Sequence, residues 1–431
     1  MAKKLTYYIW PLGCAMNYAD AERVAMVLDG LGMKQTGEEK KANVIVAMAC
    51  SVRQSAIDRI LGKAVLWKNF KKRQLKLTLL SGCVLPADKT KLAKIFDLTF
   101  NILELGKLPT ILAKKLKLKT VVKNADGFWQ ILPKRQNNWQ ALIPISFGCN
   151  KFCAYCAVPY TRGLEKNRPA KEILNEIKQA VKNKVKEIIL LGQTVNSYTN
   201  PETGSKIKDF NDLLATTAQL APRAWIRFSS PYPTEFNDRL IQTVAKYPNI
   251  CNYFHLPVQS GSDKILKSMN RRYTKAEYLK IIKTIRQIIP ACAITTDTIV
   301  GFCGETNEDF KQTLDLFKKA RFDMAYLAQY SPRAGTVSAR TMQDNVPKTT
   351  KVKRERILNA LLTKTAAANN KKYAKQIVEV LIENQRKNFL LGKTATFKTV
   401  KIKTSDSYPI GSLVKVKITK TAAFGLEGEI I

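Results

Sequence analysis

Between residues 141 and 330 the sequence returns six times to the same unit, a short apolar run followed by a helix-length amphipathic stretch. The runs occupy 141–146, 187–191, 225–229, 252–256, 294–300 and 324–330. Strands separated by helices pair in parallel, because each helix carries the chain back to the same end of the sheet. Six such units predict a partial or complete parallel barrel, with the strand C-termini on one edge where ligands bind.

A second α/β unit precedes the barrel. Residues 6–10, 43–47 and 75–81 read as strands of a parallel sheet, each with an amphipathic stretch behind it. One cysteine stands just beyond each strand: Cys14 in PLGCAMN, Cys50 in MACSVR and Cys83 in SGCVLP. Parallel strands bring such positions to one edge, so the three converge as ligands or, on the plainer alternative, serve as small buried hydrophobes. Gly13 and Gly82 suit tight turns there. The expected organisation is an N-terminal α/β domain at 1–115, a lysine-rich linker at 116–138, the barrel at 139–370 and an all-β domain at 371–431. In the last part, 351–372 reads as a charged helix, and 376–383, 394–402, 413–419 and 428–431 read as short strands of a small barrel.

The chain carries 72 Lys and Arg against 34 Asp and Glu, a formal charge of +38. Such a field attracts a polyanion and points to nucleic acid; the alternative is a lysine-rich proteome with solvated lysine faces. No apolar run approaches the roughly 20 residues of a membrane helix, and the N-terminus lacks a signal-peptide core, so a cytoplasmic protein is expected. In a reducing compartment nine cysteines are metal ligands or thiols rather than a disulfide framework. The single histidine, His255, excludes most His-rich metal sites.

Cys149, Cys153 and Cys156 form C-x3-C-x2-C on the loop after the first barrel strand. Three thiolates bind a four-iron cube and leave one iron open to an exogenous ligand such as S-adenosylmethionine, whose one-electron cleavage yields a 5′-deoxyadenosyl radical. Zinc would need a nearby fourth Cys or His. Tyr155 fits a residue packing on the adenine or a core aromatic.

These residues resemble the radical S-adenosylmethionine (SAM) superfamily and, within it, the methylthiotransferases. GCAMN, ACSVRQSA and the SGC at 81–83 look like that family's auxiliary-cluster motifs. SFGCNKFCAYCAVPYTRGLEKNRP looks like its radical loop, and GQTVNSY, HLPVQSGS, MNRRYT, DTIVGFCGET and YSPRAGT follow in order over essentially the whole chain. The terminal barrel resembles the RNA-binding TRAM module. The resemblance implies two 4Fe–4S clusters, one on Cys149, Cys153 and Cys156 and a sulfur-delivering one on Cys14, Cys50 and Cys83. It also implies two S-adenosylmethionine molecules per turnover, one as radical source and one as methyl donor. The implied reaction is hydrogen abstraction from C2 of N6-isopentenyladenosine beside the anticodon of tRNA, sulfur insertion and methyl transfer. Threonylcarbamoyladenosine as substrate, and a non-catalytic iron–sulfur RNA-binding protein, are the alternatives. An electron donor such as flavodoxin or ferredoxin, the tRNA anticodon stem-loop as partner, no membrane association and a monomeric state are further expectations.

Other residues are weighed singly. Gln193 and Asn196 could bind the cofactor or cap a loop; Arg227 could meet the cofactor carboxylate or an internal acid; Gly301 and Gly304 could let backbone approach the cofactor or form a turn. Phe389, Phe397, Tyr408 and Phe424 are candidates for stacking bases or for barrel core. Cys303 stands where the family has proline, as an extra thiol or a filler, and Cys251 and Cys292 read as core. No residue is assigned as a general acid or base.

Overall fold

The computed structural model describes residues 4–52, 54–71, 74–118 and 127–431. The expected linker includes 119–126, which lie outside the described residues, as does Arg53 of ACSVRQSA.

β1 (Thr6–Pro11), β2 (Lys34–Gln35), β3 (Val44–Cys50), β4 (Leu77–Cys83) and β5 (Leu98–Thr99) form a parallel sheet in the order β2-β1-β3-β4-β5. Every residue of the central strand, VIVAMAC, is buried. That continuous apolar run reflects cover on both faces. Val44, Val46 and Met48 pack under the helix Ala15–Gly30, while Ile45, Ala47 and Ala49 pack under the helix Gln54–Lys71.

The barrel begins at β6 (Gln140–Pro144), and a short antiparallel pair, β7 (Ser146–Phe147) with β8 (Lys166–Asn167), brackets the cysteine loop. The expected strand 141–146 thus divides in two after Pro144. β9 (Glu187–Leu191), β10 (Trp225–Phe228), β11 (Tyr253–His255), β12 (Ala293–Val300) and β13 (Met324–Gln329) complete the barrel. Its strands run β6-β9-β10 and β11-β12-β13, all parallel, and a bridge from Ile226 to Ile250 joins the two sheets. Ile143, Ile188, Ile226 and Ile294 face the surrounding helices in one continuous core.

After the helix Lys348–Asn370, β14 (Ile377–Arg386), β15 (Phe389–Thr394), β16 (Thr399–Lys403), β17 (Leu413–Ala422) and β18 (Gly425–Ile430) close a barrel in the order β14-β15-β16-β18-β17. The expected strand 394–402 is corrected: it spans the end of β15, a turn in which Phe397 adopts a φ of 63°, and β16. Val380, Ile382, Leu390, Val400, Ile402 and Ile418 fill the interior. The barrel seats against the central domain through Lys398, which pairs with Asp323 at 2.7 Å, and through Phe397, which stacks on Tyr253 with centroids 4.7 Å apart. At the other interface, Arg23 of the N-terminal domain and Arg168 of the central domain both reach Glu176 at 2.6 Å.

Candidate active site

β3 and β4 run in register so that Cys50 and Cys83 are direct neighbours at the ends of their strands, rather than just beyond them as expected. Cys14 is the N-cap residue of the helix Ala15–Gly30, an end whose free N–H groups favour a thiolate. The preceding turn lies against Cys50: a Cβ added at Gly13, whose φ is 94°, would stand 3.0 Å from the Cys50 sulfur. Burial pushes the Cys83 thiol up to about 11 against the pull of Arg162, and Cys14 and Cys50 push the same way as burial. Cys50 and Cys83 thus lie side by side, with the turn that leads into Cys14 packed against Cys50. Asn17 braces that turn, donating from Nδ2 to the carbonyls of Leu12 at 2.5 Å and Ala49 at 2.8 Å.

The second triad lies on the loop between β7 and β8. Thr194 Oγ1 is 3.3 Å from the Cys149 sulfur, the Val158 N–H donates to Cys156 at 3.4 Å, and Arg271 Nη1 donates to Cys153 at 3.6 Å. Burial raises the Cys156 thiol to about 12, with Cys153 and then Cys149 contributing in the same direction. Asn270 holds the loop by donating to the carbonyls of Lys151 at 3.2 Å and Phe152 at 2.9 Å. Arg271 is buried, bonded to Tyr273 at 2.7 Å and Pro257 at 2.6 Å, with its guanidinium 4.4 Å from the centre of the Tyr232 ring. The loop's entry is sterically fixed. Gly148 has a φ of 72°, and a Cβ there would lie 2.1 Å from the Leu164 carbonyl oxygen. Backbone strain and that clash must displace the loop, so Gly148→Ala is expected to lower the iron bound by Cys149, Cys153 and Cys156 on reconstitution; an unchanged iron content would contradict this.

Both donor sets fit iron–sulfur chemistry, since each offers three soft sulfur ligands. Among the described residues no group of three His, Cys, Asp or Glu side chains is arranged to hold a single metal ion. One zinc requires all its sulfur ligands about 2.3 Å from a common point.

Of the other expected residues, Tyr155 is half-buried and meets Phe302 edge-on at 6.4 Å. Gln193 Oε1 is buried with no hydrogen-bond partner among the described residues, an acceptor open to a donor on a bound group. Asn196 caps a loop: its Oδ1 accepts from the Tyr232 N–H at 2.7 Å and its Nδ2 donates to the Tyr232 carbonyl at 3.0 Å. Of the two partners weighed for Arg227, the structure supplies the internal acid. Its Nε donates to Glu187 at 2.7 Å and its terminal nitrogens to the Ala395 and Thr394 carbonyls, so this buried cation is satisfied at the seam with the terminal barrel. Gly301 and Gly304 are likewise turn residues, with φ of 68° and 73°, whose N–H groups donate to Glu305 and Asn345. His255 lies between Thr295 at 2.9 Å and Asp297 at 3.2 Å on the inner barrel face. Cys251, Cys292 and Cys303 are buried in apolar clusters. Thr194, Asn270, Arg271 and Arg162 escaped the sequence reading, although GQTVNSY, MNRRYT and VPYTRG contain them.

Family models match at residues 6–102 (uncharacterized protein family UPF0004), 143–317 (radical SAM superfamily) and 371–431 (TRAM domain). The chain is 41% identical to the tRNA-2-methylthio-N(6)-dimethylallyladenosine synthase of Thermoanaerobacter pseudethanolicus, over 100% of this chain and 93% of that protein. The synthase of Geobacillus thermodenitrificans is 39% identical over 100% of this chain and 84% of its own length. The chain belongs to the radical SAM methylthiotransferases. Membership brings S-adenosylmethionine and a 4Fe–4S cluster. The fold is shared more widely: the radical S-adenosylmethionine methyltransferase TsrM of Kitasatospora setae superposes with a TM-score of 0.57 at 11% identity, covering 78% of this chain and 77% of that one. The cobalamin-dependent radical enzyme OxsB gives 0.52 at 12% identity over 84% of this chain and 56% of its own.

At the seam between its terminal and central barrels the methylthiotransferase has a cleft of about 210 Å³, lined by Tyr253, Tyr326, Lys393, Phe397, Lys398 and Phe424. The four candidate aromatics separate here. Tyr408 packs on the terminal core, Phe397 is the seam residue, Phe389 lies under Lys401 with the ammonium 4.8 Å from its centre, and Phe424 is half-exposed. Among the described residues of the methylthiotransferase, no helix is long and apolar enough to cross a membrane.

Proposed function

We propose that this chain methylthiolates C2 of N6-isopentenyladenosine beside the anticodon of tRNA. The observation that carries the reading is the pairing of two cysteine triads, each at the C-terminal edge of a parallel sheet, in a chain alignable end to end with synthases of that name. Bound at these sites, two 4Fe–4S clusters and two S-adenosylmethionine molecules supply a 5′-deoxyadenosyl radical, a sulfur atom and a methyl group.

The protein's own residues bind and orient. Cys149, Cys153 and Cys156 hold the radical-forming group, with Thr194 and Arg271 fixing the sulfurs' directions. Gln193 offers its open acceptor to the cofactor, and Tyr155 offers a half-buried ring to its adenine. Cys14, Cys50 and Cys83 hold the sulfur-donating group in the domain at 1–115, joined through 116–138 to the radical domain at 139–370. The domain at 371–431 receives RNA: Lys393, Phe397 and Phe424 line a seam in which a cation, a stacking face and an exposed ring suit a single-stranded nucleotide. An anticodon loop already exposes its bases, so presenting one adenosine to the barrel costs less than opening a duplex. A cytoplasmic monomer fed by a flavodoxin or ferredoxin completes the reading.

The test is direct. Full-length reconstituted protein is given S-adenosylmethionine, a reductant and anticodon stem-loop RNA carrying either isopentenyladenosine or threonylcarbamoyladenosine, and the nucleosides are weighed by mass spectrometry. A methylthio gain on the isopentenylated RNA is expected. A gain confined to the threonylcarbamoylated RNA would replace the substrate, and RNA binding without cofactor cleavage would favour a binding protein.

A further inference from the structure

One buried cation touches the sulfur site without being one of its ligands. Arg162 ends the short helix Val158–Arg162, just after the loop that bears Cys149, Cys153 and Cys156, yet its side chain reaches into the N-terminal domain. Nε donates to the Cys83 sulfur at 2.9 Å, and Nη2 donates to Asn17 Oδ1 at 2.8 Å and to Asp20 Oδ2 at 2.8 Å. Arg162 and Asp20 are 2% and 0% exposed. Both retain a buried polar atom, Nη1 and Oδ1, without a hydrogen-bond partner among the described residues. Other buried pairs such as Arg23 with Glu176 also leave atoms unpartnered, so what sets Arg162 apart is its direct bond to a cysteine sulfur of the neighbouring domain.

We propose that Arg162 is a positioning residue of the auxiliary sulfur site: anchored on Asp20 and Asn17, its guanidinium is the counter-cation of the Cys14, Cys50 and Cys83 thiolates and ties that site to the radical loop. The guanidinium bonds the Cys83 sulfur and the Asp20 carboxylate directly, and Cys14 lies on the same anionic side, while Arg23 acts on Asp20 without touching a cysteine sulfur. Net charge and hydrogen bonds to ligating sulfur set the potential of an iron–sulfur cluster. An N–H donated to Cys83 draws electron density from that sulfur and makes the cluster easier to reduce. The same contact couples the two halves of the site, because any movement of the helix Val158–Arg162 alters the bond to Cys83.

This role rests on the reading that Cys14, Cys50 and Cys83 hold a cluster. Its test uses the full chain carrying C149A, C153A and C156A, so that only the auxiliary cluster contributes, with iron content and an EPR-monitored redox titration as readouts. R162Q is expected to shift the midpoint to more negative potential, and R162K to lie between R162Q and the parent. D20N, which removes a negative charge and leaves the cation, is expected to shift it the opposite way. Opposite shifts distinguish an electrostatic role from a loosened fold. If R162Q fails to load iron, D20N decides: a positive shift supports the role, and no shift or a negative one overturns it. A parent lacking iron overturns the cluster reading together with the role of Arg162, whereas normal iron with a midpoint unmoved by both substitutions overturns the role of Arg162 alone.

Discussion

Cys153→Ala is expected to abolish S-adenosylmethionine cleavage, whereas Cys50→Ala is expected to leave part of the cleavage in place and to stop sulfur insertion. The division follows from where the thiols sit. Cys153 belongs to the loop between β7 and β8, beside Arg271, while Cys50 closes β3 in the other domain beside Cys83. On the proposed assignment Cys153 would be one of three ligands, and two remaining thiols would not hold the cluster that cleavage requires. Losing Cys50 leaves the radical loop's contacts to Thr194, Asn270 and Arg271 intact. The products to measure are 5′-deoxyadenosine and methylthiolated nucleoside, by liquid chromatography with mass detection. Equal loss of cleavage in both variants, each shown to be folded, would contradict the division of labour.

Glu176→Gln should be among the most destabilising single changes at the interface of the first two domains. Its Oε2 accepts from Arg23 and Arg168, both at 2.6 Å, and Arg135 lies 3.8 Å from the other oxygen. Burial alone would raise this carboxyl, but Arg23 and Arg168 hold it below the usual carboxylate range. Neutralising it strands buried guanidinium groups, and breaking a buried pair in this way costs about 3–5 kcal/mol. The sign with pH follows. A depressed folded-state value contributes stability that is full above the unfolded carboxyl value of about 4.3 and is lost as pH falls through the lower folded value. The parent should therefore lose stability on acidification below about pH 4 by a step that the variant lacks. Thermal or urea unfolding across pH measures both effects. A change under about 1 kcal/mol at neutral pH, in the range of an exposed pair, would show that Glu176 is not the latch.

The parallel sheets were legible because period and composition follow from burial. The apolar run at 43–47 marks the central strand, which extends three residues further to Cys50, and Glu187–Leu191 has the same bounds in sequence and structure. β2 and β5, at two residues each, are too short to carry a period, and β15 was hidden because Gly392 and Lys393 interrupt its alternation. The cysteines stood out by residue type, and the edge of a parallel sheet explains why positions so distant in sequence meet. What could not be read were partners. Arg227 stayed open between a cofactor carboxylate and an internal acid because nothing in WIRFSS reveals Glu187 across the sheet or the carbonyls of Thr394 and Ala395. Asn270 acts on backbone carbonyls and Arg162 acts across a domain boundary, and neither relation leaves a spacing in the chain.

Methylthiolation of isopentenyladenosine is tested most directly in the cell, by mass spectrometry of tRNA nucleosides from a strain lacking this gene and from the same strain complemented with it. The expected result is loss of the 2-methylthio group from isopentenyladenosine, with the unmethylthiolated nucleoside accumulating, and full restoration by the intact gene but not by one encoding Cys153→Ala. Persistence of 2-methylthio-isopentenyladenosine in the deletion strain, together with its loss from threonylcarbamoyladenosine, would contradict the account.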